Sequence, residues 1–377
     1  MHVTLGPIHA AHLAPRRGTC GASGRQPISG VARARIAAML EDPKLNRTTL
    51  AAALRDGWGI EALGFRFVPG YDMAAAAYEV ATPEGWAFVK VRLRATDDRA
   101  LRVPLALADA GVPNVMAPLR TRDGALAQPM PDPGSSMLAF AHIAGRSAMD
   151  AGMSPRGWRS FGTTLRAVHD ATLPVEVTAG LPADPFALPS AAVLRDVLSL
   201  SLRGSAPVAG PSAERMVALL TEHADRIEAM LTRAAQLGAD LAARSLPTVV
   251  CHGDIHAANL LVPADGDAYP VLVDWDVPLL APRERDLLFV VGSRIARTVE
   301  PREEAWFFEG YGPVEVDADA LRFFRYERLV EDLGEFGRSV LADPALPESS
   351  RAPQVRLAAS AFGPDGIDAV EHVEIHR

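Results

Sequence analysis

The sequence predicts an α+β chain of two lobes, a small N-terminal one built on an antiparallel sheet carrying one helix and a larger, mostly helical one. Three observations predict it. Between residues 64 and 143, apolar and polar residues alternate in short runs punctuated by Gly and Pro, as in half-buried strands joined by tight turns. From Ser154 to Val340 the apolar spacing changes to the period of helices. At 377 residues, 49% of them apolar, the chain can bury a substantial core divided between two lobes.

Organisation begins near residue 47. Thr48 or Thr49 is expected to cap a helix through Leu50, Ala53 and Leu54 that stops near Gly57 and Gly59. Gly64–Val68 and Ala76–Ala81 read as strands joined by the turn Pro69–Asp72, and a third strand runs from Trp86 to Leu93. Asp97 to Ala110 reads as a helix ending at Gly111. Val115–Leu119, Ala125–Met130 and Met137–Ile143 complete the sheet. Helices then follow at Ser154–His169, near Ala191–Leu202, and in one long amphipathic run from Ala213 to Ala243. Two short β segments, Thr248–Cys251 and Tyr269–Asp274, precede helices at Arg285–Ile295, Glu303–Tyr311 and Ala318–Val340. The expected division is 1–46 as a disordered leader or an extended start with Met39 as the natural initiator, 47–145 as the N-lobe, 146–343 as the C-lobe and 344–377 as a tail without a structural signal. The leader is acid-free to residue 38 and lacks the basic start and apolar run of a signal peptide.

Charge and composition exclude several classes. The net charge of −8 argues against nucleic acid or an anionic membrane as partner, both of which need a basic face. An acidic surface suits a cationic partner better. Two cysteines, Cys20 and Cys251, make neither a disulfide framework nor a zinc site, which points to a reducing cytoplasm. No stretch reaches the ~18 to 20 apolar residues of a membrane span.

The chemistry concentrates in His252-Gly-Asp-Ile-His-Ala-Ala-Asn259. Phosphoryl transfer from ATP requires a group to orient the acceptor hydroxyl, oxygen ligands for magnesium and a cation for the triphosphate. Asp254 and Asn259 supply a carboxylate and an amide oxygen from one loop. Asp274 follows at the end of an apolar strand about a hairpin's length later, which returns a second hard oxygen ligand beside Asn259 for a shared metal. Asp and Asn are ordinary loop residues singly; the ordered set between two β segments is the signal.

His252–Leu261 resembles the His-Gly-Asp-(Leu/Ile)-His-x-x-Asn loop of the aminoglycoside phosphotransferase family, a branch of the protein-kinase-like fold. Val271-Leu-Val-Asp-Trp-Asp276 is similar to that family's Ile-Asp-Trp segment, and Pro282–Leu287 to its downstream Asp-Leu helix start. Asp-Trp-Asp followed by Ala-Pro-x-Glu-Arg-Asp-Leu looks most like the spectinomycin-type branch. The resemblance spans roughly residues 47–340. It implies a two-lobed kinase fold, ATP and Mg2+ as cofactors, Asp254 as catalytic base, and Asn259 and Asp274 as magnesium ligands. It also implies that Lys90, within Ala87–Val91, contacts the ATP phosphates, and that backbone groups of Phe140, Ala141 and His142 receive the adenine at the hinge. The implied enzyme is a cytoplasmic kinase of a small hydroxylated molecule, working as a monomer or weak dimer.

Each residue also has a plainer reading. Lys90 would suit the exposed face of an edge strand, and the following helix has no Glu to pair with it, leaving Asp97 or Asp98 as substitutes. The phosphate-covering loop, Val68–Ala76, holds a single glycine, Gly70. These departures leave a nucleotide-binding pseudokinase open. His252 and His256 read as loop scaffolding, Cys251 as a buried hydrophobe, Trp275 as packing in the metal-site wall. Asp286 caps its helix or braces the loop, and Asp276 either supports the metal ligands or touches substrate. Glu327 and Glu331, a turn apart on Tyr326–Phe336, either meet a cationic acceptor or form a solvated acidic face. An aminoglycoside-like antibiotic leads as acceptor, with choline, homoserine or sugar-type metabolites as alternatives.

Overall fold

The computed structural model describes residues 42–69, 75–94, 98–264, 269–295, 297–344, 346–364, 366–372 and 374–376. Most of the expected leader, Gly70–Asp72 of the first turn, and Asp97 lie outside them. The end of the leader is tied down, because Asp42 accepts a hydrogen bond from Tyr78 Oη at 3.0 Å.

Helix Arg47–Trp58 is capped by Asn46, whose side chain accepts from Thr48 N and Thr49 N at 2.9 and 3.1 Å. The cap thus falls two or three residues before the threonines expected to provide it. Strands β1 (Gly64–Val68), β2 (Ala75–Thr82), β3 (Gly85–Arg92), β4 (Gln128–Pro129) and β5 (Ser136–Ala141) form one antiparallel sheet in the order β1-β2-β3-β5-β4. Strand periodicity divides its faces. Ala76, Tyr78, Val80, Val89, Val91, Met137 and Ala139 point to one side, where Leu50 and Leu54 of the capped helix close a core. Ala77, Glu79, Phe88, Lys90, Leu138 and Phe140 face the other way, into a cavity. β3 lies in the centre of the sheet, so Lys90 is on no edge, and its side chain is only 12% exposed.

Two expected strands shrink, the first of them at Pro118, which withholds the N–H a ladder needs. Val115–Leu119 contributes only isolated bridges, Val115 to Leu272 and Pro118 to Phe140. Ala125–Met130 narrows to β4.

The remainder is mostly helical. Helices Pro155–Asp170 and Pro301–Tyr311 pack so closely that a Cβ on Gly162 would collide with the Phe307 carbonyl, and one on Gly310 with the Arg159 carbonyl. Gly162→Ala is therefore expected to destabilise the fold by about 1–3 kcal/mol, measurable as a lowered denaturant midpoint, because the helices must separate. The expected run Ala213–Ala243 is two helices, Pro211–Glu222 and Ala224–Ala242, broken at His223, whose ring stacks on Phe362 at 4.1 Å. Arg285–Ile295 yields only the single turn Glu284–Leu287; Leu288 to Val291 are buried in irregular turns that end at Gly292 (φ +52°).

The tail, where the sequence carries no strong signal, holds a helix, Glu348–Ser360, docked on helix Ala318–Ala342 and helix Pro211–Glu222. Glu348 accepts from Ser212 N and Oγ at 3.1 and 2.6 Å, and Arg351 donates to the Asp343 carbonyl at 2.7 Å. Pro353 inside it and a nearly uniform distribution of polar residues hid this helix from periodicity. No helix among the described residues is long and apolar enough to cross a membrane.

Candidate active site

Strands β7 (Val249–Cys251) and β10 (Leu279–Ala281) pair antiparallel, and the loop leaving β7 carries His252 to Asn259. Its last residues form a 3-10 turn, Ala257–Asn259, capped by His256, whose Nδ1 accepts from Ala258 N at 3.2 Å. Next come β8 (Leu260–Pro263) and β9 (Val271–Leu272), paired through Leu260 and Leu272, while β6 (Gly145–Ser147) flanks β8. The hairpin places Asp274 beside Asn259, and Val273 N donates to the Asn259 carbonyl at 3.0 Å. The β segment expected over Tyr269–Asp274 is thus only two residues long, and Asp274 follows it with φ +66°. This left-handed conformation is uncommon for a residue with a Cβ and more accessible to Asp than to most. Gly253 (φ +86°) has no room for a side chain, since a Cβ there would lie 2.5 Å from the Val277 carbonyl.

The loop is braced from below by Asp286, which is fully buried. Its oxygens accept from His252 N and Gly253 N, each at 2.8 Å, and from His169 Nε2 at 3.1 Å. His169 Nδ1 in turn meets Tyr311 Oη at 2.7 Å. Of the two roles open to Asp286, loop brace is the one observed. The His252 ring meets the Val273 carbonyl through Nε2 at 3.0 Å and accepts from Asp254 N at 3.3 Å through Nδ1, which ties the loop to the residue just before Asp274. Trp275 packs against that ring at 4.5 Å. Cys251 is buried, its thiol against the Ala281 and Pro282 carbonyls, and burial pushes it up from the usual thiol range.

Lys90, Asp254, Asn259, Asp274 and Asp276 line one cavity of about 640 Å³, together with Phe140, Ala141, His142 and Glu79. Lys90 Nζ reaches Asp274 Oδ1 at 2.6 Å and Asp276 Oδ2 at 2.5 Å. Arg92 adds a contact to Asp276 Oδ1 at 3.4 Å. Among the described residues Lys90 pairs with the two aspartates of the Asp-Trp-Asp segment, while Asp98 lies 4.0 Å from Arg92; Asp97 lies outside the described residues. Burial pushes the Asp274 carboxyl up, and repulsion from Asp276 adds to it against the pull of Lys90. For Asp276 burial is outweighed by Lys90 and Arg92, which hold it down.

Asn259 spends its amide nitrogen on the Asp254 carbonyl at 2.8 Å, leaving its oxygen without a protein donor among the described residues. That oxygen and the Asp274 carboxylate form a hard-oxygen pair suited to Mg2+ or Ca2+. Asp254 is gripped by Arg328 (Nη1 to Oδ1, 2.9 Å) and faces His256 at 3.4 Å. Burial opposes its ionisation, but His256 and Arg328 prevail and hold the carboxyl at about 2, against an ordinary 3.8. A depressed folded value means that its stabilisation is complete above the ordinary range and lost as pH falls through the lowered one. Thermal midpoints of the native chain and Asp254→Asn are thus expected to differ at about pH 6 and to converge towards pH 2.

Arg328 was not legible as a site residue among the acidic residues of Tyr326–Phe336, although its i,i+4 partner Asp332 is visible in the sequence. Three of the four acids of the row, Glu327, Asp332 and Glu335, are paired with arginines. Glu327 pairs with Arg285 and Glu335 with Arg338, and neither Glu327 nor Glu331 lines the cavity. Burial, with Asp332 and Asp254 nearby, pushes the Glu331 carboxyl up. At the hinge, the His142 ring meets Glu79 Oε1 at 3.0 Å and packs against Trp86, contacts that sequence spacing gave no sign of.

A central-strand lysine facing two aspartates across a cleft, with an Asp–Asn loop beside them, belongs to an enzyme of the kinase-like phosphotransferase class. Residues 72–324 match the family described as the phosphotransferase enzyme family, APH, and the chain belongs to it. Protein StrN of Streptomyces griseus is 27% identical over 207 residues, a stretch covering 53% of this chain and 62% of StrN. The structure of spectinomycin phosphotransferase APH(9)-Ia in complex with ADP and spectinomycin superposes with a TM-score of 0.75 at 24% identity, over 86% of this chain and 97% of that one. An amicoumacin kinase in complex with AMP-PNP, Ca2+ and Ami gives a TM-score of 0.55 at 13% identity, over 87% of this chain and 93% of that one. The shared fold is the two-lobed α+β one expected from the sequence.

Proposed function

We propose that this phosphotransferase is an ATP- and Mg2+-dependent kinase of a small molecule's hydroxyl, an aminocyclitol- or aminoglycoside-like antibiotic. The observation that carries the reading is the convergence of Lys90, Asp254, Asn259 and Asp274 on one cavity. In it Asn259 and Asp274 hold the metal, which when bound neutralises charge on the transferring phosphoryl group. Lys90, released from Asp274, meets the ATP phosphates; Asp276 keeps it oriented. Backbone groups of Phe140, Ala141 and His142 take the adenine. Asp254 orients the acceptor hydroxyl and takes its proton. On this reading residues 47–145 form the nucleotide-binding lobe and residues from 146 onward the lobe carrying the metal and acceptor sites.

Likeness to the spectinomycin enzyme supports an aminocyclitol acceptor. Neither Glu327 nor Glu331 lines the cavity, which keeps choline-, homoserine- and sugar-type acceptors as the second reading. The test is transfer from γ-labelled ATP to spectinomycin, aminoglycosides, choline, homoserine and amino sugars. Label is expected in spectinomycin and to vanish with a chelator. Label in none of them, with ATP intact, rejects the kinase reading.

A further inference from the structure

Arg328 stands outside the cavity and reaches Asp254 from helix Ala318–Ala342, its guanidinium lying near the Phe289 ring with the centroid 6.0 Å away. Its Nη1 donates to Asp254 Oδ1 at 2.9 Å, and its Nε to Asp332 Oδ1 at 3.2 Å, one turn along the same helix. The second oxygen of Asp254 lies 3.4 Å from Asn259 Nδ2 and 3.4 Å from His256 Nε2. Both oxygens of the carboxylate that must receive a hydroxyl are therefore engaged, the first by a full positive charge.

We propose that Arg328 is a specificity-determining residue that caps Asp254 and so favours an acceptor hydroxyl over water. This rests on Asp254 being the base of the proposed kinase. Hydrolysis breaks the bond between the γ-phosphorus and the bridging oxygen of ADP and joins the water oxygen to phosphorus. The water's proton passes to Asp254 and then to solvent. In productive transfer the acceptor's hydroxyl oxygen and proton take those places. Water brings no binding energy beyond its own hydrogen bonds and leaves the guanidinium where it is. An acceptor held by the rest of its structure shifts the pair open, since a ligand moves an equilibrium only by its differential affinity for the two states.

Opening strands no charge. A half-buried arginine stripped of its partner is costly, yet Arg328 keeps Asp332, with Glu331 close enough to add attraction. The guanidinium thus has a partner on the catalytic loop and another on its own helix, and it can let go of the first without losing the second.

The experiment measures ADP release by the full chain from ATP and Mg2+ with no acceptor present, so the acceptor's identity is not needed. Arg328→Met is expected to raise basal ADP release about tenfold, the scale of one charge-assisted hydrogen bond. Asp332→Asn, which removes the alternative partner, is expected to lower it, so loss of fold cannot imitate both results. Arg338→Met, an exposed arginine paired with Glu335, should leave it unchanged. Stabilisation of each variant by ADP and Mg2+ in a thermal melt establishes that its nucleotide site is intact. With that stabilisation retained, basal release that stays level or falls in Arg328→Met overturns the cap. Absence of stabilisation by ADP and Mg2+ in the native chain is a different failure; it removes the kinase reading, and this proposal with it.

Discussion

Asp254→Asn is expected to lower phosphoryl transfer by about 10²–10⁴-fold, the range associated with loss of a positioned general base. Affinity for ADP and Mg2+ should hardly change. The amide is nearly isosteric, so Asn259 keeps its bond to the Asp254 main-chain carbonyl and the Asn259–Asp274 oxygen pair stays in place. What disappears is the charge that orients the hydroxyl and accepts its proton. Single-turnover transfer from labelled ATP, read beside isothermal titration with ADP and Mg2+, separates the two effects. Transfer within about threefold of the native rate would remove Asp254 from the base role.

Asp286→Ala should be the most damaging single change to stability in this region, at about 3–5 kcal/mol, because it breaks a buried charged network from one side. The substitution leaves His252 N and Gly253 N facing a void and His169 without its carboxylate. Each orphaned buried group costs about 1–3 kcal/mol, and the losses overlap because one carboxylate serves all three. Burial pushes the Asp286 carboxyl up, but the hydrogen bond and charge of His169 outweigh it and hold the carboxyl below its ordinary value. Its contribution is thus complete above the ordinary range and fades as pH falls through the lowered value. Urea unfolding should show the gap between native and variant level from about pH 7 down to the ordinary carboxylate range and narrowing only below it. A gap under about 1 kcal/mol at neutral pH contradicts the brace.

These two residues mark how far the sequence could be read. Asp254, Asn259 and Asp274 are legible because they come as an ordered set from one loop and one hairpin, and a hairpin is a local structure. The strand of Lys90 is legible from its alternation, and that alternation assigns the lysine a face of the sheet. The position of β3 in the centre of the sheet is not legible, because strand order depends on which strands meet later in the chain. Asp286 could be read as a cap or a brace; only tertiary contact with His169 and the loop N–H groups decides. Arg328 was masked by its acidic neighbours, whose pairing with Arg285 and Arg338 joins separate turns and elements. The helix Glu348–Ser360 was missed because its burial is irregular around the axis and a proline interrupts it.

Lys90 and Asp274 are 184 residues apart in the chain, yet they meet in one ion pair. Closing so long a loop carries an entropic cost that must be met before the contact returns anything. A nascent or refolding chain can complete β1 to β5 and their helix while Lys90 still lacks both aspartates. Recovery of nucleotide binding should therefore trail recovery of secondary structure, and the cleft becomes a late reporter of a finished chain.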